Sequence, residues 1–280
     1  MKWLTFILAF SPLILNMQIS HAENRTDKIN SWLCFYGGEF PAENIPKFDL
    51  YILDSINHPQ IEPLKNKGSK VVGYLSLGEI AKHNWYFEEM KAKNIFVEEN
   101  ENWPGAFRID IKNKKWLKSL IKEIIPEILA RGFDGLFLDT IDTAEYLETQ
   151  KGVKGSIKGA VKLIKQIRKK FPNIIIVLNN GLFLTDMVGD EIDALVVEDI
   201  YTTFDFKNKK YSLTSEEWTR ERLAPIKLFQ ETFQKPVLAL DYVSPGDKKT
   251  IEKISEMARS QNLIPYISTI ELDKIFFHPQ

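Results

Sequence analysis

The segment Gly132-Phe133-Asp134-Gly135-Leu136-Phe137-Leu138-Asp139 limits what this chain can fold into more than any other stretch. Gly132 ends a long amphipathic pattern and can take a left-handed cap, and Asp134-Gly135 turns the chain. Residues 136–138 are too uniformly apolar for a half-exposed strand, so a buried strand with an acid at its exit is expected. The rest of the sequence repeats this plan.

Apolar strand candidates fall at 32–36, 48–53, 71–77, 136–138, 174–178, 195–197, 237–240 and 264–267. Between them lie helical patterns. Residues 62–67 form a short link closed by Gly68, and 116–130 carry one apolar stripe that Pro126 should kink. A helix from Ser156 should bury Ile157, Ala160, Val161, Ile164 and Ile167 and end by Pro172. Thr214 with Glu217 suggests a capping box for a helix through Phe229, and Asp247 can cap a last helix with the stripe Ile251, Ile254, Met257 and Ala258. The spacing carries no hairpin signal, which predicts parallel pairing through crossovers. Residues 80–112 break the rhythm and are expected to be an expanded loop after strand three, with 107–110 a short extended piece outside the barrel.

The N-terminus bounds the domain. Lys2, the apolar run 3–15 and Ser20-His21-Ala22 have the basic start, hydrophobic middle and small-residue ending of a secretory signal peptide, which assigns residues 1–22 to a leader and the cleaved chain to a start near Glu23. The run is too short for a spanning helix, so no membrane association is expected after cleavage. Residues 23–280, about 258 in number, suit one (β/α)8 TIM barrel, whose usual length is about 250. Eight strand-helix units favour that α/β closed barrel over an open doubly wound sheet. The open sheet would want a glycine-rich phosphate loop, of which Gly37-Gly38 is a weak version.

Composition excludes several partners. The net charge of −1 gives no basis for binding nucleic acid or an anionic membrane. Cys34, the single cysteine, lies in an apolar run and reads as a small buried side chain. Two of the four histidines, His21 and His278, lie near the termini, which leaves His58 and His83 unsupported as ligands; no metal site and no cofactor are expected.

In a (β/α)8 barrel the carboxyl ends of the strands meet around one mouth. The exits here are Asp54, Glu79, Asp139, Asn179 with Asn180, Glu198 with Asp199, and Asp241. Two carboxylates facing a gap can cut a glycosidic bond: one gives a proton to the leaving oxygen and the other attacks or stabilises the oxocarbenium centre. Asp139 and Glu198 are the expected pair. Asp54, Glu79 and Asp241 bind substrate or make structural hydrogen bonds at the rim, and Asp142 reads as an acid at a helix start. Asn179 and Asn180 either donate to sugar hydroxyls or satisfy a turn. Among the aromatics Tyr36, Trp85, Tyr86, Trp103, Tyr201 and Tyr242, Tyr201 and one tryptophan are expected as walls for pyranose rings, with Tyr36 and Tyr242 as further substrate contacts.

The chain resembles glycoside hydrolase family 114, whose named activity is endo-α-1,4-polygalactosaminidase. The resemblance rests on Gly73-Tyr74-Leu75-Ser76-Leu77-Gly78-Glu79, on Gly132 to Asp139, and on Val196-Val197-Glu198 in that order. It implies an exported TIM-barrel hydrolase, periplasmic or extracellular, acting on a galactosamine-containing polysaccharide. It also implies a catalytic Asp at the end of strand four and a Glu at the end of strand six, positions that match Asp139 and Glu198. An acidic mouth suits such a substrate, because unacetylated galactosamine is cationic near neutral pH. The competing readings are a carbohydrate-binding barrel without catalysis and a hydrolase of a different glycan.

Overall fold

A computed structural model describes residues 29–41 and 45–276; the expected leader lies outside them. The chain starts with strands β1 (Trp32–Phe35) and β2 (Leu50–Leu53), helix α1 (Ile61–Asn66) and β3 (Lys70–Ser76). Next comes an insertion of β4 (Glu79–Ala81), α2 (Phe87–Ala92), β5 (Phe96–Glu99) and β6 (Ala106–Ile109). Helices α3 (Lys114–Ser119) and α4 (Ile125–Ala130) lead to β7 (Gly135–Asp139), α5 (Thr143–Thr149), α6 (Ser156–Lys170) and β8 (Ile175–Asn179). Then follow α7 (Thr185–Val188), β9 (Ala194–Glu198), a hairpin of β10 (Thr202–Asp205) and β11 (Lys210–Leu213), α8 (Glu216–Phe233), β12 (Val237–Tyr242), α9 (Lys248–Ser260) and β13 (Ile264–Ser268).

Eight strands form one parallel sheet in the order β1-β2-β3-β7-β8-β9-β12-β13. The sheet curls into a nearly closed barrel. At the seam the Trp32 indole donates to the Ile264 carbonyl at 2.8 Å, and the Tyr36 N–H donates to the Leu272 carbonyl at 2.7 Å. Matched positions share a face: Phe137 with Val177, Asn179 with Val196, Glu198 with Leu240, and Tyr242 with Ser268. Those alternate residues, together with Trp32, Cys34 and Ile52, point inward, and the apolar ones among them, such as Phe137, Val177, Val196 and Leu240, fill the barrel. The inward parity therefore selects which residue of each strand end looks into the mouth.

The expanded connection after β3 is an antiparallel sheet, β4-β6-β5, which covers the predicted extended piece at 107–110. The β10-β11 hairpin is antiparallel and lies in a stretch for which no strand is expected. The helix expected over 116–130 is continuous but carries a five-residue π-helical stretch, Leu120 to Ile124, just before Pro126. Proline has no N–H to donate and its ring crowds the carbonyl four residues back, so the wide turn takes up what would otherwise be a kink. Ser215, and not Thr214, caps α8 by accepting from the Trp218 N–H, while Asp247 caps α9 as expected. In α6, Leu163 is buried while Ile157 and Val161 are only half-buried, and Met257 of α9 is exposed.

Three aspartates staple the amino-terminal end of the barrel. Asp49, Asp134 and Asp193 directly precede β2, β7 and β9, and accept backbone N–H groups from Ser31 (3.1 Å), Val71 (3.0 Å) and Ile176 (2.7 Å) at the starts of neighbouring strands. Asp193 also takes the Arg168 guanidinium at 2.6 Å in a site only 6% exposed. Removing a buried, doubly bonded carboxylate strands both donors, so Asp193→Ala is expected to lower stability by about 3 kcal/mol in urea unfolding. A loss below about 0.5 kcal/mol, the range of an ordinary surface substitution, would show the staple to be idle.

Candidate functional site

Strands β7, β8 and β9 end in Asp139, Asn179 and Glu198, and each is followed by a non-glycine residue with positive φ: Thr140 (57°), Asn180 (52°) and Asp199 (54°). The chain thus turns sharply just after each inward-facing polar residue, which keeps that residue on the strand and off the loop. A β-branched threonine is strained in this conformation. Thr140 is compensated by its hydroxyl, which donates to the Asp139 carbonyl (2.8 Å), accepts from the Gly78 N–H (2.9 Å) and contacts the Ser76 hydroxyl (2.7 Å). Gly78 has no room for a side chain, because a Cβ there would lie 2.3 Å from the Thr140 carbonyl.

Asn179 stands between the two acids. Its Nδ2 donates to Asp139 Oδ1 at 2.7 Å and to Glu198 Oε1 at 2.5 Å, so those two oxygens are no more than 5.2 Å apart. Tyr242 donates its hydroxyl to Glu198 Oε2 at 2.5 Å, and the Tyr74 hydroxyl bonds to Asp139. Burial, then the charge of Asp139, pushes Glu198 up to about 7, against the opposing hydrogen bonds from Tyr242 and Asn179. The arrangement raises the proton affinity of one carboxyl, so that it titrates near neutral pH, beside a second carboxyl bonded to an amide and a phenol. That is the equipment for donating a proton to one atom while stabilising positive charge on its neighbour.

Behind Glu198, Arg222 of α8 donates to its carbonyl (2.5 Å) and to Asn180 Oδ1 (2.7 Å), and Asn180 Oδ1 also accepts the Glu198 N–H (3.1 Å). Burial and the nearby charge of Asp241 push Asp199 up to about 6, with Arg222 opposing. Asp142, just before α5, is raised by burial and then by Asp139. Among the described residues no group of three or more His, Cys, Asp or Glu is arranged to hold a metal ion.

The expected substrate contacts divide. Tyr36 sits half-buried at the mouth, its ring 5.3 Å from that of Tyr74, and Asn179 and Tyr242 stand beside the acids. Asp54 caps its own turn by accepting from the Ile56 and Asn57 N–H groups, both at 2.7 Å. Glu79 is buried in the insertion, bonded to Asn100 (2.8 Å) with Arg108 at 3.6 Å, and is raised first by its burial. Asp241 has the outward parity of β12 and accepts the Tyr201 and Thr202 N–H groups, both at 2.8 Å, which roots the hairpin. Tyr201 is buried and lines a side cleft between α8 and α9 of about 650 Å³, away from the mouth. Of the two roles open to Asp241, the structure shows the structural one, and Tyr201 lines that cleft rather than bonding to Asp139 or Glu198. Tyr74 and Arg222 were missed: Tyr74 shares the inward parity of Ser76 and was findable, whereas nothing in the α8 pattern marks Arg222.

Among the described residues the exposed aromatics are Trp85, Trp103, Phe206 and Trp218. All lie on segments that follow the exits of β3 and β9.

The family model described as glycoside-hydrolase family GH114 matches residues 16–280. An uncharacterized protein of Methanocaldococcus jannaschii is 28% identical over 237 residues, covering 77% of this chain and 66% of that protein. A relative from Thermotoga maritima is 28% identical over 239 residues, covering 77% and 71%. The chain thus spans about two thirds of the first relative's length. Among solved structures, the glycoside hydrolase domain of PelA from Pseudomonas aeruginosa superposes with a TM-score of 0.79 at 22% identity, over 88% of this chain and 97% of that one. Aspergillus fumigatus Ega3, solved with galactosamine, gives 0.69 at 15% identity, over 87% and 93%. These two likenesses establish a shared fold.

Proposed function

Because the chain belongs to glycoside-hydrolase family GH114, we propose that it is an exported, endo-acting hydrolase of a galactosamine-containing polysaccharide, similar to an endo-α-1,4-polygalactosaminidase and working in the periplasm or outside the cell. The observation that carries this reading is the single Asn179 nitrogen that holds Asp139 and Glu198 together at the ends of neighbouring strands. Glu198, protonated near neutrality, gives its proton to the glycosidic oxygen, and Asp139 attacks the anomeric carbon from the opposite face. Glu198 then takes a proton from the water that opens the glycosyl-enzyme bond. Carboxyl groups roughly 5 to 5.5 Å apart suit this two-step route and net retention, whereas inversion needs about 6.5 to 9.5 Å to admit a water. Acids at the mouth and aromatics on its rim suit a cationic sugar chain.

Incubation of the purified protein with partially deacetylated galactosaminogalactan is expected to release oligosaccharides whose new reducing ends first appear as the α anomer by NMR. Absence of cleavage would sink the substrate assignment, and a first-formed β anomer the retaining route.

The acid role has a pH signature. The proton on Glu198 is lost as pH rises through about 7, so kcat/KM should fall there. Tyr242 donates to the carboxylate and so favours its charged form. In Tyr242→Phe the fall should therefore move to higher pH. A shift to lower pH, or none, would show that this hydroxyl does not tune the acid.

A further inference from the structure

We propose that Trp103 and Phe206 form one aromatic clamp that grips the polysaccharide chain at a distance from the cleavage point, so that long chains are held more tightly than short ones. The proposal rests on the reading that the ligand is a polysaccharide. The two rings belong to different insertions. Trp103 sits in the turn between β5 and β6, and Phe206 in the turn between β10 and β11. They meet with centroids 5.2 Å apart at an angle of 74°, and they remain 50% and 39% exposed. An edge-to-face pair leaves flat apolar faces open, the shape that stacks on a sugar ring.

The placement gives the pair its position. The first insertion leaves the end of β3 and the second leaves the end of β9, and these are separated around the barrel by β7 and β8, which carry Asp139 and Asn179. A contact between the two insertions therefore spans the side of the mouth where those side chains lie. Both are held firmly at their roots. Asn100, whose side chain bonds to Glu79 and whose carbonyl takes the Trp103 N–H (3.1 Å), fixes the first turn. Asp241 fixes the start of the hairpin through Thr202, and the Tyr211 hydroxyl, accepting the Ile270 N–H at 3.2 Å, ties the second strand to the loop after β13. Phe204 backs Phe206, their centroids 5.2 Å apart. Two well-anchored turns that present half-exposed rings to each other bury little apolar surface for the fold; a ligand that covers those rings would bury the rest.

The test is binding as a function of chain length, measured by calorimetry in the E198Q background so that nothing is cut, with α-1,4-linked galactosamine trisaccharide and octasaccharide as probes. The octasaccharide is expected to bind about ten-fold more tightly than the trisaccharide, a gain of the size one stacked ring can supply. Trp103→Ala and Phe206→Ala should each abolish that gain, leave trisaccharide binding unchanged, and in combination do no more than either alone. Since the two substitutions lie in separate insertions, a folding defect in one leaves the other as the test. Equal affinity for the two lengths, no binding of either, or equal losses on both in the variants would overturn the clamp. Turnover by the unsubstituted enzyme is recorded separately. Cleavage without a length effect removes the clamp and keeps the hydrolase, whereas a clamp-dependent length effect without cleavage does the reverse.

Discussion

Glu198→Gln is expected to lower turnover of polysaccharide by about 10² to 10⁴-fold, the usual contribution of a positioned general acid. The loss should depend on the leaving group. An aryl glycoside with a good leaving group needs little protonation, so in Glu198→Ala it should still form the glycosyl-enzyme and stall there, and added azide should restore turnover with a glycosyl azide of retained configuration. The same glutamate carries a stability signature of opposite sign. Its folded-state pKa of about 7 lies above the ordinary value of 4.5, so the folded state binds the proton more tightly than the unfolded chain. The resulting stabilisation is fully present below about 4.5 and is lost as pH rises through about 7. The glutamine variant has no proton to lose, so its melting temperature should gain on the natural enzyme between those pH values. Full activity on polysaccharide, or a melting difference that shrinks with rising pH, would show that Glu198 is not the buried acid.

Asp139→Ala is expected to cost about 10⁴-fold or more on every substrate, activated or not, because the loss of a group that works as part of a catalytic unit is not recovered by a better leaving group. Here azide has a different task. It would occupy the space left by the carboxylate and attack the anomeric carbon directly, so an α-linked aryl glycoside should yield the β-glycosyl azide. Product with retained configuration would place the nucleophile elsewhere. Asn179 would then lose its Asp139 partner while keeping Glu198, so the pH at which activity falls should move down, since the charge of Asp139 is part of what raises Glu198.

The strands were legible because each is an apolar run flanked by turn residues, and burial on both faces removes any need for alternation. Asp139 and Glu198 were legible because they end such runs with the inward parity. Asp241 was misplaced by one residue: in β12 Leu240 and Tyr242 face inward, so the side chain that reaches Glu198 is the tyrosine and the aspartate turns outward to the hairpin. Counting by twos from the strand's apolar core would have corrected it. The β4-β6-β5 sheet was harder to see, since β5, Phe96-Val97-Glu98-Glu99, is half-exposed and has no buried run to announce it. The hairpin did leave a trace in Phe204 and Tyr211 on either side of a Lys- and Asn-rich turn, whose rings pack at 4.8 Å. What sequence order could not supply is the meeting of residues from distant segments, such as the Asn179 bridge or the arrival of Arg222 behind Glu198.

The aspartate staples at the amino-terminal end bear on how such a chain can change over generations. Proteins sit only a little above the stability they need, so a region is free to vary when little of that stability depends on it. Asp49, Asp134 and Asp193 tie neighbouring strands together at the end of the barrel farthest from Asp139 and Glu198. New rim loops, and with them new glycans, can therefore be tried by mutation at one pole while the opposite pole keeps the barrel shut.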